Sequence, residues 1–139
     1  MKAQKRGKRL FLIEIVGSLI GIFLISSVSL SADPEENVFN RNGRPVGRVD
    51  ADGTIRNPPG KPVGSVDSTG TVFNPIGKKI GSIEPDGTLL SPLGVTLGRV
   101  DEEGKVYSPN GTKVGTVKAE GDIYLIGGAA IVILLQLNN

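Results

Sequence analysis

The stretch VGSVDSTGTV, Val63 to Val72, recurs along the chain. VGRVDADGTI stands 17 residues before it, and IGSIEPDGTL and LGRVDEEGKV follow at the same interval. Self-similarity at a fixed period is read before any local structure. From Val38 the chain divides without insertion into five 17-residue blocks, at 38–54, 55–71, 72–88, 89–105 and 106–122. In every block the first, ninth and twelfth positions are Val, Ile or Leu, and the sixth, tenth and sixteenth are Gly. NPPG, NPIG and SPNG set Pro where a turn wants a fixed φ and Gly where it wants a positive one; DADG, DSTG and EPDG do the same from Asx-type starts. The stretches between are short and rich in Val, Ile and Thr. Each block therefore predicts two short antiparallel strands and two tight turns. Gly47, Gly64, Gly81, Gly98 and Gly115, set between aliphatics, mark a bulge or a close backbone approach.

A single hairpin of this kind buries too little to stand alone, so the blocks must pack on one another or around something. The sixth window, IYLIGGAAIVILLQLNN at 123–139, keeps the period at Ile123, Gly128 and Ile131 and then abandons it. Residues 123–137 carry no charge. At 15 residues they fall short of the roughly 20 that span a bilayer as a helix, and they are rich in β-branched Ile and Val. The expectation is a buried central strand threading the five hairpins. The alternative is a tail lodged in lipid.

Residues 1–32 read as an export signal: MKAQKRGKR has five positive charges and no acid, an apolar run follows, and SLSA precedes the polar DPEEN. An uncleaved anchor is the alternative, since the apolar run approaches a membrane span in length. A short polar lead occupies 33–37. The expected location is outside the inner membrane: periplasm, cell surface or medium. The net charge of +2 is due to this segment, because from Asp33 onward 11 Lys and Arg face 13 Asp and Glu. Nucleic acid is thus not an expected partner. Without cysteine there is no disulfide framework and no thiol chemistry.

The five tandem units of the form V-x-N-x-x-G-x-x-V-G-x-V-D-x-D-G-T, behind a signal and before a GGAAIVILL tail, resemble the bacterial five-fold β-flower proteins. The resemblance covers residues 38–137. It implies an all-β fold in which five hairpin petals surround an apolar C-terminal segment, and it brings no catalytic or binding residues with it.

With no His and no Cys in the chain, Ser-His and Cys-His catalysis and the usual zinc ligands are ruled out. Carboxylates remain, but they repeat with the period, which argues for turns and against one pair tuned for acid–base work. No enzyme is expected. No cofactor is expected either; calcium is weighed on the DADG motif, but the remaining ligands of a calcium loop are missing. Phe39, Phe73 and Tyr107 recur at the second position of alternate blocks and are read as packing between petals.

Charge segregates within the block. Positions two to eight hold Arg41, Arg44, Arg56, Lys61, Lys78, Lys79 and Lys113 and no acid. The later positions hold Asp50, Asp52, Asp67, Glu84, Asp86, Asp101 and Glu103 among ten acids. Aligned hairpins would form a ring with a cationic and an anionic rim, roughly 15 to 20 Å apart. The functional expectation is an exported, non-catalytic repeat module of the cell envelope that binds or builds through its turns. Its partners would be anionic envelope polymers or lipid phosphates, or copies of itself stacked head to tail. The alternative is a membrane-attached repeat domain with its tail in lipid; otherwise inner-membrane contact is expected only through the N-terminal segment.

Overall fold

The computed structural model describes residues 35–136, so the expected signal or anchor at 1–32 lies outside the described residues. Ten strands form within this range. They are β1 (Val38–Asn40), β2 (Pro45–Val49), β3 (Thr54–Arg56), β4 (Pro62–Val66), β5 (Thr71–Phe73), β6 (Lys79–Ile83), β7 (Thr88–Leu90), β8 (Thr96–Val100), β9 (Lys105–Tyr107) and β10 (Lys113–Val117). Each strand pairs antiparallel with its neighbours in sequence, and β1 pairs with β10, so the sheet closes into a barrel with no free edge. The ring inferred from the repeat is this barrel.

Each block supplies one three-residue and one five-residue strand. Period-two alternation turns Gly47, Val49 and Ile55 inward, with Arg48, Thr54 and Arg56 on the outer wall. In the β1–β2 pair Val38 faces Gly47 while Phe39 faces Pro45, leaving Val46 as an extra residue. The same shift recurs in β3–β4, β5–β6, β7–β8 and β9–β10. The ninth-position aliphatics are therefore the bulged residues, packed against the core but only half-buried, while the first- and twelfth-position aliphatics are buried.

Closure rests on Asn37. Elsewhere the twelfth-position N–H donates to a turn carbonyl of the preceding block, as Val66 does to Gly53 at 2.9 Å. Val49 has no preceding block. Its N–H donates to Asn37 Oδ1 at 2.9 Å, and Asn37 Nδ2 donates to the Val49 carbonyl at 3.1 Å. The Asn37 carbonyl also accepts from Lys118 N at 2.7 Å, joining the first strand's lead to the end of the last strand. Asn37→Ala is expected to cost about 1–3 kcal/mol, because it orphans two strand groups. A lower midpoint in urea at unchanged m-value reads it; an unmoved midpoint would mean that water replaces the latch.

The C-terminal segment is neither the expected strand nor a lipid-borne tail. It is an α-helix, α1 (Ile123–Ala129), continued as a π-helix over Ala130–Gln136. The reason is hydrogen bonding. Inside a closed barrel every wall strand is already paired, so a central strand would leave its N–H and C=O groups unmet, while a helix satisfies its own. The β-branched content that suggested a strand is outweighed by this requirement. Asp122 starts the helix, with its Oδ1 accepting from Leu125 N at 3.0 Å. Ile126 to Leu134 are buried. No helix among the described residues is long and apolar enough to cross a membrane.

Helix and wall fit as two complementary layers. Near the helix start small residues meet large ones: a Cβ added to Gly127 would lie 2.5 Å from Ile83 Cγ1, and one added to Gly128 would lie 2.6 Å from Val66 Cβ. Beyond it large residues meet small ones. Ile131 lies against Gly81, Val132 against Gly64, Ile133 against Gly47, Leu134 against Gly115 and Leu135 against Gly98. Five consecutive side chains thus visit β6, β4, β2, β10 and β8, one per petal. That circuit needs a step of a fifth of a turn. An α-helix, with 3.6 residues per turn, oversteps it and doubles back within four residues. The wider i→i+5 turn of the π-helix comes closer to it, which gives a physical reason for seven residues of a normally rare conformation.

Candidate functional site

The wall strands are so short that most of the charged side chains sit on turns. At one end of the barrel lie the five tips at 40–44, 57–61, 74–78, 91–95 and 108–112. In four tips the first side chain folds the loop: Asn40 Oδ1 accepts from Asn42 N and Arg44 N at 2.9 and 3.0 Å, Asn57 Oδ1 from Lys61 N at 2.9 Å, Asn74 Oδ1 from Ile76 N and Lys78 N at 3.1 and 2.9 Å, and Ser91 Oγ from Val95 N at 3.1 Å; in the fifth, Asn110 Oδ1 accepts from Thr112 N at 3.1 Å. With this polar side chain turned into the loop, the following ones stand out. Arg41, Arg44, Lys61 and Lys78 are exposed on these tips, with Lys79 and Lys113 exposed at the first residues of β6 and β10. Six of the seven cations grouped from the sequence thus share one end.

Arg56 is the exception. Its Nε contacts Asp50 Oδ2 at 2.7 Å, Arg48 Nε contacts Asp50 Oδ1 at 3.2 Å, and the Arg56 guanidinium also donates to the Gly60 carbonyl. Two members of opposite rims are therefore paired, because β2 and β3 meet only at Arg48–Arg56 and Val49–Ile55 before the chain turns. Neither Arg56 nor Asp50 is free to face a partner.

At the other end the acids build turns. Asp67 Oδ1 accepts from Thr69 N and Thr71 N, each at 3.0 Å, and Asp101 Oδ1 accepts from Glu103 N at 3.0 Å and Lys105 N at 2.9 Å. Asp52 and Asp86 accept from Thr54 N and Thr88 N at 3.0 and 2.9 Å. The Thr54 and Thr88 backbone bonds, followed by the same threonines' side chains, hold the Asp52 and Asp86 carboxyls below the usual value, and the Thr69 hydroxyl leads the same effect at Asp67. Glu103 pairs with Lys105 Nζ at 3.0 Å, while Glu84 is exposed. Asn40 and Asn74 do the same turn work at the basic end with no charge, so these acids need no ligand to account for them. A hollow of about 410 Å³ opens here between Asp52, Asp67, Glu120, Asp122 and Leu125. No acids among the described residues cluster as a metal site would require.

Phe39, Phe73 and Tyr107 lie half-buried on the wall strands, two of them beneath cations. Arg99 Cζ is 4.4 Å from the Tyr107 ring centroid, and Lys118 Nζ is 5.0 Å from that of Phe39.

A further feature of the basic end was not picked out from the sequence. Ile76 is 87% exposed, Leu93 93% and Val95 62%, on the tips of two neighbouring petals. Their signal was positional. They occupy the fifth and seventh places of their blocks, where the other copies carry Asn, Pro, Arg, Lys or Thr, and where an aliphatic has no part in the turn.

The model of the 5-fold beta-flower protein family aligns with residues 35–136. The chain belongs to the 5-fold β-flower family. No curated protein and no solved structure matches it. Family membership fits an all-β repeat fold of hairpins. In this β-flower protein the central element is helical, and the free charge of the basic end rests on six cations.

Proposed function

We propose that this β-flower protein is an exported, non-catalytic module of the cell envelope that acts through its basic end. The observation that carries the reading is the filled interior. The barrel is plugged by its own helix, and no polar or charged residue among the described residues is buried as a whole; a single oxygen of the Glu36 carboxylate, in the lead before β1, is enclosed. Catalytic groups work where water is excluded and fields are strong; here the charged side chains lie on outer strands and turns. The family description is of a repeat fold and names no reaction. A module of this kind offers a rigid display of loops, and the end that carries unpaired cations is the one suited to an anionic partner.

Cell fractionation with N-terminal sequencing of the recovered chain tests the location. The expected chain sits in the envelope or outside it and begins near Ser31 to Asp33. A full-length chain recovered wholly from the cytosol would overturn the reading.

A further inference from the structure

We infer that the basic end docks on the surface of an anionic phospholipid bilayer, with the 74–78 and 91–95 tips entering the headgroup layer. The inference deepens the proposed function and rests on its choice of binding end. Ile76, Leu93 and Val95 are the large aliphatics exposed among the described residues, and all three lie at this end. They stand clear of the body of the protein: a Cβ added to Gly77 or Gly94 beside them would meet nothing within 4 Å. The turns do not require them, since Asn74, Ser91 and the two glycines close those loops. Lys78 and Lys79 share the petal of Ile76, Lys61 tips the petal on its far side, and Lys113 lies in the petal beyond that of Leu93 and Val95.

The combination selects the partner. Aliphatic tips bounded by cations, with no acid in positions two to eight of any block, match a surface whose outer layer is phosphate and whose next layer is hydrocarbon. A second copy fits less well. Basic end on basic end would oppose two rings of cations, while basic end on acidic end would set Leu93 and Ile76 against turns that expose no large aliphatic among the described residues. A soluble anionic polymer would take the cations and leave the aliphatics in water.

The chain has no Trp, so one introduced indole reports alone. Leu93→Trp and, at an acidic-end turn, Ser68→Trp are placed separately in the full chain and mixed with vesicles of phosphatidylglycerol and phosphatidylcholine, or of phosphatidylcholine alone. In the anionic vesicles the Leu93→Trp variant is expected to shift its emission to shorter wavelength and to be quenched by brominated acyl chains, while the Ser68→Trp variant shows neither change. Adding K78E/K79E to the Leu93→Trp variant should weaken partitioning at least about tenfold. The Ser68→Trp control, the neutral vesicles and K78E/K79E together separate docking by the tips from attachment through the N-terminal segment, which involves neither Leu93 nor the Lys78–Lys79 pair. An indole at position 93 that stays in water, that shifts equally with neutral lipid, or that shifts without lipid as protein concentration rises overturns the inference, the last in favour of self-association. The measurement uses purified chain, so a failure of docking and a failure of export are read independently.

Discussion

Deleting residues 123–139 leaves a chain with no cooperative unfolding transition. The wall cannot compensate for the loss, because one of its inward layers is Gly47, Gly64, Gly81, Gly98 and Gly115 and has no side chains with which to close the gap. The magnitudes decide the outcome. Trimming one fully buried Ile to Ala typically costs about 2–5 kcal/mol, while a whole domain is stable by about 5–15 kcal/mol. Ile131 and Val132 are fully buried, Ile133 and Leu134 nearly so, and all four leave together. The five hairpins would then line an apolar tube, and short hairpins lacking a filled core are marginal in water. Circular dichroism through a thermal ramp and light scattering read the result. A truncated chain that melts sharply and runs as a monomer would show that the wall is self-sufficient, and the helix would then be cargo.

How much of this was legible in the sequence varies by element. The petals were, because each turn states its own chemistry in residues such as Asn57, Pro58 and Gly60, and five copies at an unbroken spacing leave no other register. The bulge and close approach at the tenth-position glycines were legible as a pair of options; the structure shows both, the bulge beside the glycine and the helix side chain against it. The helix was not, because its middle, Ile126 to Leu134, is enclosed on every side and so carries no amphipathic period, and its β-branched residues pull a local reading toward strand. What selects the helix is the closed wall around it, a tertiary fact. Its layering was nonetheless written in order, with Gly127 and Gly128 facing wall aliphatics and IVILL facing the glycine ring. The pairing of Arg56 with Asp50 was hidden by distance along the block, since six positions apart in sequence becomes side by side across a two-pair ladder. The Asn37 latch lies one residue ahead of the first repeat, where the period no longer applies. Ile76 and Leu93 were visible as departures from the block, but an isolated aliphatic on a turn carries no period and draws its meaning only from the neighbouring petal.

Gly64→Ala combined with Val132→Ala is expected to be less damaging than the two separate losses summed. A Cβ on Gly64 would lie 2.8 and 3.2 Å from the two Val132 methyls and 3.0 Å from the Phe73 carbonyl oxygen. Contacts that short force the helix or wall to shift, at a cost of about 1–3 kcal/mol that exceeds the gain of up to about 1 kcal/mol from restricting the unfolded glycine. Val132→Ala alone opens a cavity at a fully buried site, at about 2 kcal/mol. In the double variant the new methyl enters the space the valine vacates, so a coupling of about 1 kcal/mol or more should appear in urea denaturation. Two controls make the cycle a test of register. Gly43→Ala, at φ +80° with open space around it, should carry only the backbone strain of a left-handed turn and no coupling to Val132. Gly64→Ala with Ile133→Ala should also add without coupling, because Ile133 faces Gly47 one petal away. Coupling of Gly64 to Ile133 instead of Val132 would mean that the helix sits a fifth of a turn from the placement described. Coupling to neither would mean that the helix turns freely among five equivalent sockets, and the one-residue-per-petal fit would lose its force as the reason for the π-helix.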